Sequence, residues 1–316
     1  MTRQRKTTMI DNRPDFQYMS ICERQDYVET LHIWYPRIHT IYDEIVHIHD
    51  FNTKPQCIMI VGPTGVGKST LLRAYTTMHP REPRLEVDRL PILEVTVPAR
   101  ATIRNFVTRL LLAVGDPLAG KGTVEAMENR LLRFIQQCEV EMLVIDDLQH
   151  FVEHNSKFAL PDISNWLNNF VAETHTACVI AGLPEAERVL HANPQLGRLF
   201  GDPHVLHPFT WDATCPETVA EFRLFLKTLE SMLPLPETMP LTSVDVAWRC
   251  YVASAGCMAY LMNLVRRAAQ RAILLDRPAL DLPLLAEAFD HRLAGRRRGL
   301  SNAFIGDLPE MASATL

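Results

Sequence analysis

At 316 residues the chain is long enough for two domains or one large one, each with a substantial core. Its 47% hydrophobic and 22% charged content is that of an ordinary soluble globular protein, and no apolar stretch approaches the length needed to span a bilayer. A net charge of −5 carries no global signature of nucleic-acid binding, so any DNA contact must come from a local patch or from the assembly of several subunits.

The polar start Met1-Thr2-Arg3-Gln4-Arg5-Lys6 has no apolar segment behind it, so it predicts no secretory leader. Residues 1–50 contain no Gly, and Ile38, Ile41, Tyr42 and Ile45 fall at helical spacing, which predicts a helical N-terminal arm. Four histidines from His32 to His49 invite a metal reading. His47 and His49 fall on different helix faces, however, so solvated or half-buried imidazoles are expected instead.

From 57 to about 212 strand and helix alternate. Strands are predicted at 57–61, 90–97, 141–145 and 177–181, each short and apolar on both faces, as central parallel strands are. Helices are predicted at 68–78, 102–114, 123–138 and 161–174. This is the pattern of a parallel sheet flanked by helices, with ligands at the carboxyl ends of the strands.

The first strand runs into Gly62-Pro63-Thr64-Gly65-Val66-Gly67-Lys68-Ser69, followed by Thr70 and the apolar Leu71-Leu72. The segment fits G-x-x-x-x-G-K-[ST] between a strand and a helix, the phosphate loop of ATP-binding proteins. Glycines let consecutive N–H groups curl around phosphate oxygens, and the helix points its positive end at them. Lys68 is expected on the β- and γ-phosphates and Ser69 on Mg²⁺. A second element, Met142-Leu143-Val144-Ile145-Asp146-Asp147, is an apolar strand ending in two carboxylates. Asp146 could hold Mg²⁺ beside Ser69, and Asp147 could orient the attacking water.

After Asp212 the strands stop. Thr214-Cys215-Pro216-Glu217 has the form of a capping box, with Val219, Phe222, Leu226, Leu229 and Leu233 following at helical spacing. Pro234, Pro236 and Pro240 break the chain, and further helices are predicted at 243–254, 257–275 and 282–293. The domains read as an arm (1–50), an α/β nucleotide-binding core (51–212), a small all-helical lid domain (213–294) and a flexible basic tail (295–316) containing Arg296-Arg297-Arg298. Seven scattered cysteines without a C-x-x-C pair fit a reduced, cytoplasmic protein.

The phosphate loop, Asp146-Asp147, the helical second domain and Arg198 together resemble an AAA+ ATPase. Finer features resemble the TniB/TnsC group of DNA-transposition regulators: Trp34-Tyr35-Pro36-Arg37, Lys121-Gly122-Thr123-Val124, the run Val140–His150, and Gly182-Leu183-Pro184-Glu185-Ala186 with Ala192-Asn193-Pro194-Gln195-Leu196. The resemblance implies ATP and Mg²⁺ as ligands, and self-assembly into rings or helical filaments with a hexamer-like turn around double-stranded DNA. It also implies a link between a TniQ-type target selector and the transposase, without a membrane. Arg198, or next Arg188, would reach a neighbour's γ-phosphate. By position, Arg104, Lys121 and Thr123 would face the DNA backbone.

Three positions depart from the AAA+ pattern. Asp147 stands where Glu is usual, so hydrolysis is expected to be slow; Leu183 stands near a polar sensor position; Ala259 stands where a sensing Arg is common, with Arg266 or Arg267 as substitutes. Two alternatives use the same loop. One is a clamp-loader or helicase-loader-like ATPase of replication, and the other is a STAND-type nucleotide switch that never touches DNA.

Overall fold

The computed structural model describes residues 15–51, 56–99, 101–153, 159–297 and 299–309. The polar start Met1–Lys6, Arg298 and residues 310–316 lie outside them. The chain divides into two compact units, Trp34–His207 on one hand and Met1–Ile33 with Pro208–Leu316 on the other.

The expected N-terminal arm therefore splits. Helix α1 (Ile21–Thr30) opens on a capping box in which Ser20 and Glu23 exchange side-chain-to-backbone hydrogen bonds. Leu31, Ile33 and Tyr35 then alternate as buried positions along an extended stretch, and Pro36 at the first helical position starts α2 (Pro36–Asp50). The stripe Ile38, Ile41, Tyr42, Ile45 and Ile48 is buried, as its spacing requires.

In the Trp34–His207 unit, β1 (Cys57–Val61) leads through the phosphate loop into α3 (Lys68–Thr77). Next come β2 (Ile92–Thr96), α4 (Ile103–Val114), α5 (Val124–Gln137) and β3 (Met142–Asp146). The short α6 (His150–Glu153), α7 (Ala159–Thr174), β4 (Ala177–Gly182), α8 (Glu187–His191), α9 (Pro194–Phe200) and β5 (His204–Val205) complete it. The sheet order is β2-β3-β4-β1-β5, and every pair is parallel. Strands β1, β3 and β4 are buried throughout, which is why they read as continuous apolar runs.

Side chains still alternate. Met59, Val61, Leu143, Ile145, Cys178 and Ile180 share one core with Phe106, Leu110, Met127, Leu131, Ile163 and Leu167 from α4, α5 and α7. Helices α2 and α3 pack against each other and against β4. Two-residue β5 carries too little periodicity to be read from sequence, and it adds only to the β1 edge.

The second unit joins α1 to α10 (Pro216–Met232), α11 (Val244–Ser254), α12 (Met258–Leu274) and α13 (Leu282–Arg292). Helix α1 packs on α12, with Arg24 donating to the Pro234 carbonyl at 3.1 and 2.8 Å and Gln270 to Glu29 at 2.9 Å.

Two expectations are corrected here. The capping box at Thr214 does not form: Cys215 is the N-cap of α10, Pro216 occupies the first turn, and Thr214 bonds Asp212 instead. The tail is not free over 299–309 either. Ala303 and Phe304 are buried, and Arg249 donates to the Ala303 carbonyl at 2.6 Å and the Gly306 carbonyl at 2.9 Å. The sequence signal that misled was composition; a single apolar pair, Ala303-Phe304, is what anchors the segment.

Candidate functional site

The phosphate loop sits where parallel strands deliver it, at the carboxyl end of β1. Its base is tight. The Gly62 N–H donates to the Gly182 carbonyl at 3.3 Å, and a Cβ at Gly62 would lie 2.1 Å from the Leu206 carbonyl oxygen, so no side chain fits there. Gly65 and Gly67 have φ of 86° and 106°, a region open to glycine, and Gly67 is the N-cap of α3 without a side-chain cap. Pro63 and Thr64 are exposed at the tip, Val66 is buried beneath it, and Ser69 and Thr70 are exposed on the first turn of α3.

Lys68 is 8% exposed and donates to the Gly62 carbonyl at 2.6 Å and the Pro63 carbonyl at 2.9 Å. Burial pushes its ammonium below the ordinary value, against the pull of Asp146 and Asp147. Asp146, the last residue of β3, is also buried, and burial raises its carboxyl, opposed by a hydrogen bond with the Ser69 side chain. Desolvation thus works against both charges. Ser69 lies in the first turn of α3 and Asp146 closes β3, and a hydroxyl with a carboxylate is a hard-oxygen donor set that suits Mg²⁺.

The chain turns sharply after β3. Asp147 has φ 59°, its N–H donates to Asp146 at 2.9 Å, and its carboxylate accepts from the Gln149 amide at 2.9 Å. Gln149 is buried, and its own oxygen accepts the Leu183 N–H at 3.1 Å. Sequence reasoning passed over Gln149. The only signal was an amide two residues beyond a carboxylate, which many turns contain. At Leu183, where a polar side chain was sought, the polar group present is the Gln149 amide.

Arg198 is exposed on the last turn of α9 and belongs to no hydrogen-bonded group of this cluster; Arg188 is exposed on α8. Arg266 is engaged within the helical unit, donating to the Leu31 carbonyl.

Arg104, Lys121 and Thr123 come together in a second place. Arg104 donates to the carbonyls of Gly122 at 3.0 Å and Gly120 at 3.2 Å, bracketing Lys121, and Thr123 caps α5. Arg130 holds the same loop from below. It pairs with buried Asp116 at 3.0 Å and donates to the Leu118 and Lys121 carbonyls. Arg104, Lys121 and Thr123 are exposed. Among the described residues no group of three or more His, Cys, Asp or Glu could hold a metal ion, and no helix is long and apolar enough to cross a membrane.

A parallel β2-β3-β4-β1-β5 sheet with a phosphate loop after β1 and paired carboxylates closing β3 defines a nucleotide-binding AAA+ ATPase. The family described as "Bacterial TniB protein" matches residues 25–210, and the chain belongs to that family. No curated protein matches the chain. Among solved structures it is similar to the Aeropyrum pernix ORC2 protein in its ADPNP–ADP complexes, at 13% identity over 87% of this chain and 74% of that one, with TM-score 0.56. It is similar also to the Aeropyrum pernix ORC1 protein in complex with DNA, at 17% identity, 84% and 67% coverage and TM-score 0.54. The third is Cdc6p from Pyrobaculum aerophilum, at 14% identity, 90% and 70% coverage and TM-score 0.54. At these identities the likeness is one of fold.

Proposed function

We propose that this TniB-family ATPase is a regulator of DNA transposition that assembles on double-stranded DNA in its ATP-bound form and connects a TniQ-type target selector to the transposase. Hydrolysis drives its disassembly. The observation that supports the reading most is the convergence of Lys68, Ser69, Asp146 and Asp147 at the strand ends of a chain whose residues 25–210 match TniB.

Lys68, held by the Gly62 and Pro63 carbonyls, would donate to phosphate oxygens of a bound nucleotide. Ser69 and Asp146 would hold Mg²⁺, which neutralises phosphate charge when bound. Asp147 orients water. Arg198, exposed and outside the cluster, acts on the ATP of a neighbouring subunit, where a guanidinium stabilises charge developing during phosphoryl transfer. The Arg104–Lys121–Thr123 loop meets the DNA backbone, and a polymer repeats that contact along the duplex.

Mixing tests the shared site. Lys68→Ala and Arg198→Ala proteins, each inactive alone, should regain part of the ATPase activity when combined in the presence of duplex DNA, because one interface in the mixture is intact. An Arg198→Ala protein that hydrolyses ATP at the wild-type rate would contradict the interfacial role.

A further inference from the structure

Between the carboxylate that closes the β3 turn and the end of the neighbouring strand lies one side chain whose orientation is fixed by what surrounds it. The Leu183 N–H can only be met by the Gln149 oxygen, so the Gln149 NH₂ is left facing the Asp147 carboxylate, and the amide has one sensible orientation. Room for it is made at Gly182. A Cβ there would stand 3.1 Å from the Gln149 amide oxygen and 2.8 Å from the Ala186 Cβ. The same Gly182 accepts the Gly62 N–H through its carbonyl, so the end of β4 is tied to the phosphate loop on one side and, through Gln149, to Asp147 on the other.

We propose that Gln149 is a positioning residue for ATP hydrolysis: it fixes the Asp147 carboxylate relative to the phosphate loop through the Gly182-Leu183 backbone. The proposal rests on the reading of Asp147 as the carboxylate that orients water. Asp147 sits on a turn residue with φ 59° and has a short side chain, so nothing in its own backbone selects one carboxylate orientation. Gln149 occupies one Asp147 oxygen, Oδ1, and leaves Oδ2 to accept from water. Because the amide is buried and held by a backbone N–H, the link is short, dry and stiff. Leu183 needs no polar side chain for this, since its backbone provides the anchor.

Two substitutions separate the halves of the link. Gln149→Glu keeps an oxygen for the Leu183 N–H but cannot donate to Asp147; Gln149→Leu removes both bonds. ATP hydrolysis and fluorescent-nucleotide binding are measured on the full chain for both variants, for Asp147→Asn and for the double variant Gln149→Leu/Asp147→Asn. Misplacement of a catalytic group predicts that kcat falls about 10- to 100-fold in both Gln149 variants. KM and nucleotide affinity should stay within about threefold. The double variant should be no slower than Asp147→Asn, because Gln149 acts only through that carboxylate.

Wild-type kcat in both Gln149 variants, with Asp147→Asn inactive, would overturn the proposal and leave the carboxylate reading standing. So would additive losses in the double variant, or loss of nucleotide binding in both Gln149 variants, which would mark a purely structural residue. Wild-type turnover in Asp147→Asn would instead defeat the underlying reading.

Discussion

At the scale of single residues, the site is shaped as much by what is missing as by what is charged. Gly62 abuts the Leu206 carbonyl so closely that the missing side chain is a steric requirement. Gly62→Ala forces β1 and the segment after β5 apart, and overpacking of this kind costs about 1–3 kcal/mol of stability. A lowered thermal midpoint together with weakened nucleotide binding is expected; an unchanged protein would show that the close approach is not needed. The placement of Lys68 and Ser69 at the start of α3 and of Asp146 at the end of β3 was legible in the sequence because a spaced motif names them. Gln149 was not, because its importance depends on a tertiary contact with Leu183, 34 residues away. Burial likewise cannot be read from a motif, yet it raises the Asp146 carboxyl and lowers the Lys68 ammonium.

At the scale of elements, helices and strands of the core lie within a few residues of where periodicity puts them, since long amphipathic or wholly apolar segments report their own burial. The misses have local causes. Pro216 at the first turn of α10 moved the cap from Thr214 to Cys215, and the true capping box at Ser20–Glu23 lies before a weakly patterned helix. One inter-element fastening is testable by pH. His49 on α2 bonds the Tyr75 hydroxyl on α3 at 2.7 Å and Glu141 beside β3 at 3.0 Å, while Arg89 before β2 also pairs with Glu141. The His49 hydrogen bond, followed by Arg89, lowers the Glu141 carboxyl from 4.5 to about 2. A depressed folded-state value contributes stability that is complete above the unfolded value and is lost as pH falls from 4.5 towards 2. The Glu141 side chain is 44% exposed, so solvent screening limits the contribution to about 1 kcal/mol. Urea unfolding at pH 6 and pH 3 should show a smaller difference in Glu141→Gln than in wild type; equal differences would remove Glu141 from the account.

At the scale of the whole molecule, the sequence reading of an α/β core followed by a helical region matches the observed layering, but the partition of the chain differs. The described residues before Trp34, 15–33, join the C-terminal helices, a long-range association that no local pattern announces. The tail is likewise integral over 299–309: Trp248 donates to the Pro309 carbonyl at 2.7 Å, and Arg249 is buried against Ala303 and Gly306. Truncation after Arg297 strips these acceptors from Arg249 and exposes the Phe304 pocket, which should destabilise the helical unit by about 3–5 kcal/mol. Calorimetry on the truncated chain checks this. A transition at the wild-type temperature would show that the tail is dispensable for folding, and any transposition defect would then belong to recruitment.

The central claim is that the phosphate loop governs assembly on DNA, and co-sedimentation with long duplex DNA tests it most directly. With ATP or a slowly hydrolysed analogue the wild-type protein should pellet with the duplex, and it should stay in solution without nucleotide. Lys68→Ala should stay in solution in both conditions, and added salt should weaken wild-type binding steeply, as phosphate contacts require. Equal pelleting of wild type and Lys68→Ala, with or without nucleotide, would contradict the account.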